Sequence, residues 1–158
     1  MPAPHRVGPI SWLLACGLIL ASLSLAAQPA TSDADIEWML AESSDAYKVN
    51  DSTRGRQLAE GALALAVRDS RPLLEAEALL RLGKDDAWFR RYDAALDKLE
   101  RARGLCAEHG DRQREAILAS ELASTLTDAG GDLTRAVALL QSSRLTFREA
   151  GDAVNYSG

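Results

Sequence analysis

Residues 82–106 read LGKDDAWFRRYDAALDKLERARGLC, and this stretch decides the fold. Within it Ala95, Leu99, Ala102 and Cys106 fall at i, i+4, i+7 and i+11. That spacing sets all four on one face of a helix. Three of the four are small, so a neighbouring helix can approach that face closely. Upstream, Leu73, Ala76, Leu79, Leu80 and Gly83 make a second helical stripe. The spacing predicts a helical hairpin, 71–89 with 93–108.

Working outward, the same face returns. Ala136, Leu140, Ser143 and Phe147 lie 41 positions later, and Gly55, Ala59, Ala62 and Ala66 lie 40 earlier. The turn AEHGD at 107–111 is echoed by REAGD at 148–152. Ala116, Ala119, Leu122 and Ala123 repeat the first-helix stripe. Pro72 follows Ser70, where a first helical turn accepts proline. Asp111 and Asp132 are expected N-caps, and Gly110 and Gly130-Gly131 expected stops. Two further hairpins follow, 33–49 with 53–68 and 112–129 with 133–149. One hairpin alone leaves its apolar face open, and about three stacked hairpins are the minimum for a stable array.

Composition agrees. Of the 158 residues 47% are hydrophobic, mostly Ala and Leu, and only 5% are aromatic. Ala, Leu, Arg, Glu and Gln favour helix, so the expected class is all-α. The formal charge is −5, and no basic stripe stands out, which argues against nucleic acid as the partner.

In the middle hairpin, Leu82-Gly83, then Tyr92-Asp93-x-Ala95-Leu96, then Leu99 and Ala102 closely resemble a tetratricopeptide repeat. The third hairpin is similar through Leu122-Ala123, Ala136, Leu140 and Ser143, with one extra residue in its Gly130–Asp132 turn. The first is similar in its second helix only. The chain departs from the family pattern at Asp86, where an aromatic often stands, and near Ala107, where a proline often does. The resemblance implies a right-handed superhelical array over 33–151, with a concave groove lined by the first helix of each pair. Family members bind peptides or proteins there. On this chain Glu77, Arg81, Lys84 and Trp88 would approach the groove, joined by Ile117, Ser120, Glu121, Ser124 and Thr127. The lining is mixed in charge and lacks the Lys/Asn clamp that some members use for a peptide carboxylate.

The first 27 residues read as an address. Arg6 is the only charged residue among the first 30. An uncharged run from Ile10 to Ala27, ending in Ser24-Leu25-Ala26 and followed by a linker at 28–32, predicts a secretory signal peptide cut after Ala26 or Ala27. The expected location is periplasmic or secreted. An uncleaved membrane anchor is the alternative, and Leu13-Leu14-Ala15-Cys16 loosely resembles a lipoprotein box. Of the two cysteines, Cys16 would leave with the leader, so no internal disulfide is expected.

Catalytic chemistry is not apparent. His109 stands in a turn without a nucleophile or orienting group nearby in sequence. Cys106 sits on the packing face and reads as a small hydrophobe, with a redox or inter-chain role as the other reading. Asp85, Asp86 and Asp93 lack the spacing of a calcium loop and read as a solvated helix end. No metal site or cofactor is expected. Trp88-Phe89-Arg90-Arg91-Tyr92 admits two readings. Either Trp88 and Tyr92 pack at the turn with both arginines in water, or the segment is a binding hot spot.

The expected function is a non-enzymatic scaffold for a protein or peptide. The alternative is the periplasmic sensory region of a longer membrane signalling protein of kinase or cyclase type. Residues 152–158 begin a further repeat or form a tail. Val137, Leu140 and Phe147 are expected to be partly uncovered, which would make the C-terminal end an interface, including for a homodimer.

Overall fold

The computed structural model describes residues 32–151. The predicted signal peptide, all but the last residue of the linker, and the tail at 152–158 lie outside the described residues. Six helices follow one another: α1 (Asp33–Lys48), α2 (Ser52–Arg68), α3 (Pro72–Trp88), α4 (Tyr92–Glu108), α5 (Arg112–Asp128) and α6 (Leu133–Glu149). These are the three expected hairpins, with ends within a residue of those read from the sequence. No strand occurs among the described residues. No described helix is long and apolar enough to cross a membrane.

The turns are built alike. Asn50, Ser70, Arg90, Gly110 and Gly130 each adopt positive φ, at intervals of 20 residues. The amide three positions past each of the first five helices reaches back five residues, as in Asp51 to Ala46, Arg71 to Ala66, Arg91 to Asp86, Asp111 to Cys106 and Gly131 to Leu126. This is the Schellman closure, in which a left-handed residue lets the chain satisfy the last free carbonyls of a helix. Its recurrence makes the array periodic. The extra residue, Gly131, shifts the following N-cap to Asp132. The side chains of Asp51, Asp111 and Asp132 each accept a hydrogen bond from the amide three residues on. Ser32 and Asp35 form a reciprocal capping box.

Each helix packs on the next, and the first helices of successive hairpins also touch one another (α1 with α3, α3 with α5), whereas α2, α4 and α6 do not meet. The first helices therefore form the inner layer, and the array curves around them. In the middle hairpin Ala95, Leu99, Ala102 and Cys106 are fully buried. Gly83 makes the close approach possible, because a Cβ there would lie 2.8 Å from Leu99 Cγ. The Leu-Gly pair thus acts through packing. Burial pushes the Cys106 thiol up to about 11, so it stays protonated at neutral pH and packs as a small apolar group.

In the last hairpin Ala136, Ser143 and Phe147 are buried, Leu140 is 43% exposed as expected, and Leu139 takes the buried place against α5. Leu140 occupies the position of Leu99, whose outer side is covered by the following helix; among the described residues nothing follows α6. Val137 is 53% exposed as expected, and Phe147 is not, because it turns inward.

Candidate functional site

The inner face carries a groove of about 650 Å³ between the C-terminal halves of α1 and α3, closed at one end by the turn at Asn50. Tyr47 and Lys48 come from α1, and Glu77, Leu80, Arg81, Lys84, Asp85 and Trp88 from α3. All four α3 residues predicted for the concave face are therefore brought together. They recur at i, i+4, i+7 and i+11, which keeps them in one row along the helix.

Trp88 stands at the mouth and is 80% exposed. The expectation that it packs at the turn does not hold. Its neighbour Phe89 is also largely exposed and lies under the Arg91 guanidinium, 5.0 Å from the ring centre. An exposed indole beside a concavity adds little to folding, and it offers a rigid, amphipathic contact to a partner.

The polar lining is ordered by ion pairs. Arg81 donates to Glu77 at 2.9 Å, and Arg114 of α5 approaches the same carboxylate at 3.4 Å. Lys84 donates to Glu121 at 2.6 Å, which ties α3 to α5 and joins the predicted Glu121 to the rim. The remaining predicted residues of α5 are not part of the groove. The Ser120 hydroxyl packs against Ser143 of α6 at 2.7 Å. Thr127 returns its hydroxyl hydrogen bond to the Ala123 carbonyl. Ser124 and Ile117 are exposed in the same row of α5 as Glu121 but do not line the groove. The sequence missed Tyr47 as lining, since the first hairpin carries little of the repeat pattern, and Leu80, which reads as part of the α3 packing stripe.

The floor holds a second departure. Asp85 and Asp86 are not a solvated helix end: they are 5% and 1% exposed. Arg56 of α2 donates to Asp85 at 2.5 Å and to Asp86 at 2.9 Å. Arg91 reaches Asp86 at 2.8 Å and Asp85 at 3.0 Å, and Lys98 reaches Asp86 at 2.6 Å. Arg91 is thus an ion-pair partner rather than a residue left in water. Burial works against the charged form of Asp86, but hydrogen bonds from Lys98, Arg91 and Arg56 outweigh it and hold the carboxyl below its ordinary value. The Tyr47 ring packs over Gly55, where a Cβ would come within 2.9 Å of it. Burial, then the Asp85 charge, push its phenol up to about 12, so it remains a neutral hydroxyl in the groove floor.

No group of three or more His, Cys, Asp or Glu among the described residues is arranged to hold a metal ion. His109 is exposed, with Nδ1 2.9 Å from the Leu105 carbonyl oxygen. The molecule belongs to the class of α-helical repeat arrays. Compared with known protein families and with curated proteins, the chain matches no family model and no curated relative.

Proposed function

We propose that the protein is an exported binding scaffold of the tetratricopeptide class, which takes a peptide segment of a partner protein in the α1–α3 groove. The single observation that carries this reading is Trp88, an 80% exposed indole at the mouth of a concavity on the inner face. Tyr47, Leu80 and Trp88 give the groove apolar surface suited to one large apolar side chain. Arg81, Lys84 and Glu77 stand beside it for the polar groups of an extended backbone. Few, convergent polar groups around an apolar lining are what orient a bound segment. The tetratricopeptide assignment is supported by the 20-residue turn register, the inner placement of the first helices and the Gly83–Leu99 contact. Export is supported by the leader-like sequence of residues 1–27.

The test is a peptide-display selection on the full chain, followed by mapping of an enriched peptide through NMR chemical-shift changes. Shifts concentrated at Tyr47, Leu80, Arg81 and Trp88 support the reading. Shifts confined to the outer surfaces of α2, α4 or α6, or no enrichment at all, contradict it.

A further inference from the structure

We infer that the segment held in the α1–α3 groove is acidic: it carries an Asp or Glu side chain two positions from its large apolar residue, and Lys84 and Arg81 receive that carboxylate. This deepens the groove reading above and rests on it. What decides it is the hydrogen-bonding capacity that the lining has left to offer. Two carboxylates line the groove, Glu77 and Asp85. Glu77 accepts from Arg81 at 2.9 Å, and its other oxygen lies 3.4 Å from Arg114. Asp85 is buried and takes both Arg56 and Arg91, at 2.5 and 3.0 Å. Each carboxylate is thus matched by two cations of the chain itself. The lining cations are not used up in this way. Lys84 donates to Glu121 at 2.6 Å and Lys48 to Asp45 at 2.8 Å, and an ammonium has three donors. The Lys84 side chain is 56% exposed in its pair, and pairs so open to water are weakly held. Arg81 Nε is buried and has no hydrogen-bond partner, a costly state for a donor. The uncommitted charged groups of the lining are therefore donors, and they call for an acceptor from the occupant.

Spacing gives the motif. Lys84 and Trp88 are one turn apart in the α3 row, about 6 Å along the axis at a rise of about 1.5 Å per residue. An extended chain advances about 3.3 Å per residue and turns alternate side chains to the same face. Two positions therefore span the same distance. With the apolar side chain against Tyr47, Leu80 and Trp88, a carboxylate two residues away reaches Lys84, and Arg81 stands in the next turn of the row. A guanidinium offers a carboxylate a planar fork, and the ammonium beside it adds a point charge. The chain as a whole is acidic, with a formal charge of −5, so the preference is local to the groove and comes from these residues. Ser44, Asn50 and Ser52 also line it; they are uncharged and do not oppose an anion.

An NMR titration of the full chain tests this. The probes are seven-residue peptides, acetylated and amidated, with Phe and Glu two positions apart in a Gly/Ser background, in both orders. Matched peptides carry Gln or Lys in place of Glu. The better Glu peptide is expected to shift Tyr47, Leu80 and Trp88 and to bind roughly tenfold or more tightly than its Gln counterpart. Added salt should narrow that gap. Arg81→Gln should raise the dissociation constant of the Glu peptide about tenfold and leave that of the Gln peptide unchanged. Helical circular dichroism shows that the variant folds; Lys84→Gln serves if it does not. Groove shifts with equal affinity for the Glu and Gln peptides overturn the proposal and leave the groove reading standing, and so does a preference for the Lys peptide. A Gln peptide with a free C-terminal carboxylate that matches the amidated Glu peptide also overturns it, since the chain terminus would then be the group received. No groove shift with any of these probes overturns it too, while groove binding by other selected peptides would still support the groove reading.

Discussion

Arg56 of α2 and Asp86 of α3, 30 positions apart in sequence, meet at 2.9 Å across the boundary between the first two hairpins. Arg56 also holds Asp85, so one guanidinium fixes two buried carboxylates below the groove. Removing Asp86 takes a charged hydrogen-bond acceptor from Arg56, Arg91 and Lys98, which are partly exposed, while Asp85 still holds the two guanidiniums. Asp86→Ala should therefore cost about 1.5–3 kcal/mol, the range of hydrogen bonds to a charged group. Urea denaturation checks this, and a loss within about 0.5 kcal/mol, the range of an ordinary surface substitution, would show that the cluster does not stabilise the fold.

The same cluster gives the array an acid limit. The Asp86 carboxyl lies below its ordinary value of 3.8 in the folded chain, so folding favours its charged form. Its stabilisation is fully present above about pH 4 and is lost as pH falls through the folded value. The denaturation midpoint should drop steeply below pH 4, and Asp86→Asn should flatten that limb. Parallel profiles for the two proteins would contradict this assignment.

Arg90 holds a left-handed conformation, φ 60°, that Gly110 and Gly130 adopt at the matching turns. A side chain there costs energy that glycine avoids. Arg90→Gly should stabilise the protein by about 0.5–1 kcal/mol. A higher melting temperature is the expected result, and a lower one would mean that the Arg90 side chain makes contacts worth more than the strain.

Gly83 and Leu99 lock the middle hairpin. Gly83→Ala places a methyl group 2.8 Å from Leu99 Cγ in a filled core, at a cost of about 1–3 kcal/mol. Leu99→Ala in the same chain should relieve part of that clash, so the double variant should be more stable than the two losses added. Simple additivity would show that the two residues do not press on one another.

Much of the fold was legible in the sequence because turn chemistry and stripe spacing agree. Gly110, Gly130, Asp111 and Asp132 do in the structure what their residue types favour. The groove was legible only along α3, where Glu77, Arg81, Lys84 and Trp88 share one row. Ser120 looked equivalent, but its hydroxyl is drawn into the α5–α6 contact by Ser143, a cross-helix partner that sequence spacing does not reveal. The acidic cluster was misread because two aspartates near a helix end are usually solvated. A signal was nevertheless present. Asp86 occupies the register of Ala46 and Leu126, both buried, and a carboxylate in a repeat's buried position requires cations brought from elsewhere in the chain. Arg56 carries no local mark of that role.

The most direct test of the binding-scaffold reading is the affinity of a selected peptide for the Trp88→Ala variant, with stability measured on the same sample. Trp88 is mostly in solvent, so the account predicts a melting temperature close to that of the parent and a dissociation constant raised roughly tenfold or more. An unchanged dissociation constant in a folded variant would contradict it and remove the groove mouth from the binding surface.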